Sequence, residues 1–318
     1  MGQSMIDLPS RLLLNLAAWR NARNWRVAFS GGLDSTVLLH LLAHLAKTES
    51  LPTLSAIHIH HGLQAAADAW PEHCQAVCDA LNIPLQVERV KVQPGASLER
   101  AARDARYAVF GSVNQSNDVL LTGQHRDDQA ETLLFRLLRG AGVRGLSAMP
   151  AQRPLGQGTL VRPLLDVTRA ELEAYAAAHQ LQWIEDPSNE DRQFSRNYLR
   201  HQIVPLLTGR WPQAQANMAR SAAHLREAQG LLDELAQIDL AHGKASTDFD
   251  WLCVPSLELA PLAALSVARQ RNALSHWLEP LTRLPDTDHW SGWAEEGTAA
   301  NETAQVWWLA GGGWREGG

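Results

Sequence analysis

The chain has 318 residues, of which 45% are hydrophobic and 19% charged, with a formal net charge of -6 and a mean hydropathy of -0.22. That length predicts about two domains with a buried core. The balance excludes a disordered chain and an indiscriminate nucleic-acid coat, though not a local RNA-binding patch. In chain order, residues 10–23 predict an amphipathic helix with Ser10 as N-cap and Leu13, Leu16 and Ala17 on one face. Short β-rich runs follow at 25–29, 54–59, 85–92 and 118–122, separated by helical patterns at 35–47, 66–82 and 97–114. A helix at 127–139, a fifth strand at 159–165 and a helix at 168–180 complete the alternation. This order predicts an α/β fold, a parallel five-stranded sheet with helices on both faces.

The segment EDPSNEDRQFSRNYLRHQIVP, 185–205, begins as a turn-rich loop and becomes a basic helix. Beyond Pro205 the pattern changes to long alanine- and leucine-rich helices without strands. The expected division is a first domain over 1–207, a smaller all-helical domain over 208–289, and an irregular tail over 290–318 that holds five of the 12 tryptophans among glycines. No apolar run reaches the roughly 18 residues of a membrane span. The N-terminus has acid and proline where a secretion signal needs a basic start. Three cysteines without a CxxC pair suit a reducing compartment, so the expected location is cytoplasmic, with no membrane partner.

Ligands bind outside the carboxyl ends of strands in an open parallel sheet, and each unusual polar cluster falls at such an end. SGGLDS follows the first strand. Gly31 and Gly32 allow a tight turn and close approach of a ligand, and the helix behind them directs its N-H groups and positive dipole end into that turn, which suits phosphate. Ser30 and Ser35 add hydroxyls, while Asp34 fits an anion site only with Mg²⁺ between carboxylate and phosphate. A plain helix-capping turn remains the alternative. No GxxxxGK[ST] occurs, and the literal GxGxxG at Gly140–Gly145 follows a helix instead of a strand, so Gly140 reads as a helix C-cap.

HIHHG follows the second strand, with His58 and His60 on one face. Without a carboxylate or thiolate at ligand spacing, a polar lining for a nucleotide pocket is favoured over zinc. In TGQHRDDQAETLLF, Asp127, Asp128 and Glu131 are three and four apart and can share the crevice side of one helix, although acids in a first helical turn are favoured by the dipole alone. Arg103 and Arg106 read as surface charge or as a clamp for phosphate or carboxylate. Arg192, Arg196 and Arg200, interleaved with Phe194 and Tyr198, read as a solvated face or an RNA-binding one.

Taken in order, these motifs resemble one family. SGGLDS is similar to the PP-loop of the N-type ATP pyrophosphatases, which split ATP to AMP and pyrophosphate. IHIHHGL, SLERAARDARY, TGQHRDDQAETLLFRLLRGAGVRGLSAM, VRPLL and EDPSNEDRQFSRNYLRHQIVPLL resemble the tRNA(Ile)-lysidine synthetases, densely over about 25–207 and weakly through ARQRNALSHWL. The resemblance implies adenylation of the wobble cytidine of a CAU anticodon in tRNA(Ile), then attack by L-lysine to give lysidine. It implies ATP binding by Ser30, Gly31, Gly32, Leu33, Asp34 and Ser35 with His60, Gly123 and His125, and Mg²⁺ held at Asp34 through phosphate. Asp127, Asp128 and Glu131 are expected to join Asp34 as catalytic residues that contact lysine or metal, Arg103 and Arg106 to contact lysine or phosphate, and Arg192, Arg196 and Arg200 to contact tRNA. Longer members carry a further C-terminal domain, so residues 290–318 are expected to be a truncated C-terminal region. The oligomeric state stays open, with a homodimer among the options. A tRNA thiolase, an ammonia-using ligase and a non-catalytic tRNA-binding homologue are the alternatives.

Overall fold

The computed structural model describes residues 7–62, 65–92, 98–241, 257, 260–281, 305–308 and 314–317. Its principal feature is a six-stranded sheet of β1 (Asn24–Ala28), β2 (Thr53–His60), β3 (Leu85–Arg89), β4 (Asp118–Leu121), β5 (Gln152–Leu155) and β6 (Gly158–Val161), in the order β3-β2-β1-β4-β6-β5. Five strands run parallel and β5 pairs antiparallel with β6. The sixth strand was not expected. Pro154 reads as a strand breaker, yet β5 is an edge strand, where a missing N-H costs no ladder bond.

Helices cover both faces, as the alternating pattern predicts. In chain order they are α1 (Leu8–Asn15), α2 (Leu33–Leu45), α3 (Trp70–Leu81), α4 (Leu98–Val113), α5 (Arg126–Leu137), α6 (Val143–Leu146), α7 (Arg169–Ala178), α8 (Ser195–Tyr198), α9 (Val204–Arg210), α10 (Ala214–Leu240), α11 (Ala260–Ala263) and α12 (Val267–Leu278). The first is shorter than the 10–23 expected and is capped one turn earlier, because the Asp7 carboxylate accepts from Ser10 N at 2.9 Å. On one face Trp25, Val27, Val119 and Leu121 of the sheet bury against leucines of α2 and against Cys74, Cys78 and Leu172. On the other, Ile57, Ile59, Leu120 and Leu160 bury against Phe110 of α4. Ten of the 13 residues of α2 are buried, which explains why its sequence is apolar on nearly every side.

One polar cluster interrupts the packing of α2 on α7. His40 Nδ1 lies 3.0 Å from the Tyr175 hydroxyl, and the His40 ring stands 4.9 and 5.0 Å from those of His44 and His179. Burial, then the neighbouring His44, His179 and Lys47, push the His40 imidazole down to about 4. A histidine lowered on folding takes up its proton more readily in the unfolded chain, so stability is unaffected above about pH 6.5 and falls as pH drops toward 4. In urea titrations between pH 7.5 and 5, His40→Gln should lose less stability on acidification than the parent; equal losses would count against this account.

The chain divides into two compact units, Met1–His224 and Leu225–Gly318, with the division inside α10. In the second unit, Leu262, Ala273 and Leu274 form a small core. Asn272 Nδ2 donates to Leu232 O at 2.6 Å, and the buried Asp239 pairs with Arg269. The expectation of an irregular tail needs one correction. Gln305–Trp308 (β7) and Trp314–Gly317 (β8) pair as an antiparallel two-stranded sheet; the remainder of 290–318 lies outside the described residues. Among the described residues, no helix is long and apolar enough to cross a membrane.

Candidate active site

The strand order reverses between β1 and β4, and crevices form where neighbouring connections leave a sheet in opposite directions. The loop after β1 and the loop after β4 flank that point. In the first, Gly31 adopts φ +84°. That conformation strains any side chain, and a Cβ there would also press on Ile184 Cδ1 at 2.5 Å, the movable end of that side chain. Gly31 O accepts from Ile184 N at 2.8 Å and from Thr36 Oγ1 at 3.2 Å. Ser35 Oγ receives Ser30 N at 3.2 Å, lies 3.0 Å from Ser30 Oγ and donates to Gly32 O at 3.0 Å. The serines of SGGLDS thus hold the turn in shape. The Leu33, Asp34 and Ser35 N-H groups open α2, and such groups have no partner within their own helix.

Gly123, after β4, allows the second loop to reach the first. A Cβ on it would lie 3.0 Å from the backbone carbon and oxygen of Asp34, atoms that cannot turn aside. His125 follows, almost fully buried. Its Nε2 is 3.7 Å from Asp34 Oδ2 and 3.6 Å from Asp128 Oδ2, and its Nδ1 is 3.5 Å from Asp127 Oδ2. Burial works against the imidazolium, but Asp127, then Asp128 and Asp34, outweigh it and raise the His125 pKa. Asp34 is raised as well: burial disfavours its carboxylate more than His125 favours it. Asp34 Oδ1 is buried without a hydrogen-bond partner. A buried, unpartnered carboxylate oxygen beside a glycine turn is a donor suited to a hard divalent cation.

The three acids of α5 separate into two roles. Asp127 Oδ2 accepts from Arg169 N at 2.6 Å, which ties it to the first residue of α7, and Asp128 Oδ2 accepts from His125 N at 3.1 Å. Asp128 and Glu131 stay in the crevice and meet Arg196 and Arg200. Arg200 Nε and Nη2 donate to Glu131 at 2.6 and 2.9 Å, Arg196 Nε donates to Glu131 at 3.2 Å, and both arginines donate to Asp128 at 3.2 Å. Glu131 is 2% exposed. Burial opposes the Arg200 charge, yet Glu131, Asp128 and Asp34 raise its pKa above the ordinary value. The two arginines come from α8 and the π-helical turn Leu199–Ile203 that continues it, a distortion often found at functional sites. They were expected to contact tRNA; in the structure these half-buried side chains pair with Asp128 and Glu131. Arg192 alone of the three is exposed.

His58 and His60 end β2, and His61 follows it. His58 Nδ1 lies 2.9 Å from Phe29 O and 3.4 Å from Cys74 Sγ, while His60 Nε2 is 3.3 Å from Asp68 Oδ1. Arg106 is near enough to His61 to help burial push that imidazole down to about 4, whereas Arg103 is exposed, its Cζ 4.8 Å from the Tyr107 ring centroid. Sequence reasoning missed Ile184, Cys74 and Arg169, whose parts depend on contacts across the fold and leave no local pattern.

With this geometry in place, the comparisons with known proteins are specific. Residues 8–207 match the family model of the PP-loop domain, and residues 257–316 match that of the TilS substrate binding domain. A tRNA(Ile)-lysidine synthase of Pseudomonas fluorescens is 77% identical over 98% of this chain and 71% of the relative, and that of Pseudomonas aeruginosa is 63% identical over 98% and 71%. The chain belongs to the tRNA(Ile)-lysidine synthase family. A more distant tRNA(Ile)-lysidine synthase, from Coxiella burnetii, is 47% identical over 87% of the chain and 60% of its own length. Among solved structures, a U34-tRNA thiolase of Methanococcus maripaludis superposes with a TM-score of 0.56 at 17% identity, covering 69% of this chain and 78% of that one. That likeness shows a shared fold. Within the tRNA(Ile)-lysidine synthase family, the glycine turn, Asp34, His125 and the paired acids all fall inside the PP-loop match.

Proposed function

We propose that the protein is an ATP-dependent carbon-nitrogen ligase that converts the wobble cytidine of the CAU anticodon of tRNA(Ile) to lysidine. The observation that carries this reading is the convergence, at the carboxyl ends of β1 and β4 and within a chain of this family, of a glycine turn at a helix N-terminus, the unpartnered Asp34 Oδ1 and an acid-arginine cluster around the buried Glu131. The cytidine O2 attacks the α-phosphorus of ATP: the O2–P bond forms and the bond to pyrophosphate breaks. An amine of lysine then forms a bond to C2, loses its proton, and AMP departs with O2.

The residues have distinct parts in this scheme. The backbone of Ser30–Ser35 and the N-terminus of α2 cradle phosphate, with Gly123 keeping the second loop close enough to close the site. Asp34 Oδ1 would hold Mg²⁺, which supplies charge neutralisation at the phosphates when bound. His125, whose pKa the neighbouring carboxylates raise against burial, lies between Asp34 and Asp128. Asp128 and Glu131 with Arg196 and Arg200 form a mixed-charge site suited to an amino-acid zwitterion, the acids for ammonium and the guanidinium groups for carboxylate. Residues 1–207 act as the adenylating domain and the region after it contributes RNA binding. The reaction is placed in the cytoplasm.

Radiolabelled lysine should enter a tRNA(Ile) transcript with a CAU anticodon only when ATP is supplied, with AMP and pyrophosphate appearing in equal amounts. ATP cleavage without lysine transfer would retain the adenylating chemistry and sink the substrate assignment.

A further inference from the structure

A second group of arginines lies at the carboxyl end of β6, and among the described residues no acid pairs with it. Tyr107 of α4 packs edge-on against Phe110, with ring centroids 5.9 Å apart, over the Ile57–Leu160 core. Two guanidinium carbons stand over its ring, those of Arg103 at 4.8 Å and Arg153 at 4.9 Å from the centroid. Arg153 belongs to the edge strand β5, where it faces Leu160 of β6, so the β5–β6 hairpin delivers it to α4. Arg162 follows β6 directly. It is 4% exposed, gives Nη1 to Pro150 O at 2.7 Å, and keeps its buried Nε without a hydrogen-bond partner.

Arg136 of α5 stands near Arg103 and donates Nη1 to Gly145 O and Ala148 O at 2.7 and 3.0 Å. The acceptors these side chains meet among the described residues are the carbonyls named, Pro154 O for Arg153 and the Tyr107 hydroxyl for Arg162. Among the described residues, no carboxylate pairs with Arg103, Arg106, Arg136, Arg153 or Arg162; the nearby Asp104 pairs with Arg100 at 3.6 Å. The field is strong enough that Arg103, Arg162, Arg106 and Arg153 together pull the phenol of Tyr107 below its ordinary value against the effect of burial. Concentrated like charge of this kind is unfavourable unless an anion neutralises it.

We infer that Arg103, Arg153 and Arg162, arranged around Tyr107, hold a phosphodiester of the substrate RNA beside the nucleotide crevice. The inference rests on the RNA substrate proposed above and extends it to a named surface. Three features fit RNA backbone. The cluster opens to solvent through the exposed Arg103, as a polymer requires. Guanidinium groups held over an aromatic ring are preorganised to meet phosphate oxygens in pairs. The carboxyl end of β6 also places the cluster on the crevice side of the sheet, where Val161 O receives Thr122 N from the loop after β4 at 3.1 Å.

The test is direct binding of a fluorescent tRNA(Ile) transcript to the full chain, read without turnover over about 50–200 mM salt. Arg103→Glu and Arg153→Glu should each weaken binding roughly tenfold or more and lower the slope of log affinity on log salt by about one, the change expected for one lost phosphate contact. Arg153→Gln, which leaves the edge strand uncharged, should give a smaller loss in the same direction. Each variant should keep the parent KM for ATP. Parent-like affinity and slope would overturn the inference, as would failure of the parent to bind the transcript. A KM for ATP that rises in step with RNA affinity loss would also overturn it, by assigning the cluster to the nucleotide. A parent that binds RNA through these arginines but transfers no lysine would sink the proposed reaction and leave this surface standing.

Discussion

Asp34→Ala should lower lysidine formation by about 10³-fold while the protein melts no lower than its parent. The rate loss follows from removing a carboxylate with a buried, unpartnered oxygen at the glycine turn, where phosphate charge must be neutralised during transfer. The stability outcome follows from the sign of its shift. Burial raises the Asp34 pKa, so above about pH 4 its ionised form favours the unfolded chain. Alanine removes that penalty, offset in part by the lost interaction of an acid with the α2 N-terminus. Asp34→Asn, which keeps the shape and deletes the charge, should be about as inactive. Steady-state turnover and thermal melting of both variants decide the matter: retention of a tenth of parental activity, or a fall in Tm that tracks the lost activity, would remove Asp34 from its assigned part.

The sequence discloses this site unevenly, for physical reasons. SGGLDS is legible because a φ near +84° favours glycine at position 31, and that demand is written at a single residue. The βα alternation is legible because a sheet buried on both faces needs apolar runs of strand length. Charge partners are not legible. Arg196 and Arg200 form a spaced basic face that suits RNA equally well, and only the fold brings them, 65 to 72 residues along the chain, onto Glu131 and Asp128. Asp127 is indistinguishable from Asp128 by spacing, yet it bonds the backbone of α7 while its neighbour faces the crevice. The β5 strand hides behind Pro154, since edge position is a property of the assembled sheet.

Glu131→Ala tests whether that acid-arginine cluster is a binding site as well as a structural one. Removing Glu131 takes the closest partner from Arg200 and one of two partners from Arg196, leaving cations without their compensating charge. Breaking such a pair costs about 3 kcal/mol, reached from the low side because both arginines keep some access to water, and corresponds to a drop in Tm on the order of 10 °C for a unit of this size. The double variant Glu131→Ala/Arg200→Ala should be less destabilised than the sum of the single ones, since the second change removes the uncompensated charge. If Glu131 also receives an ammonium of lysine, the KM for lysine should rise about 10- to 100-fold, the value of one hydrogen bond between charged groups, with the KM for ATP much less affected. Comparing the two KM values at a temperature well below the lowered Tm separates the roles. A destabilised variant with an unchanged KM for lysine would make the cluster purely structural, and the amino acid would have to be held elsewhere along the crevice.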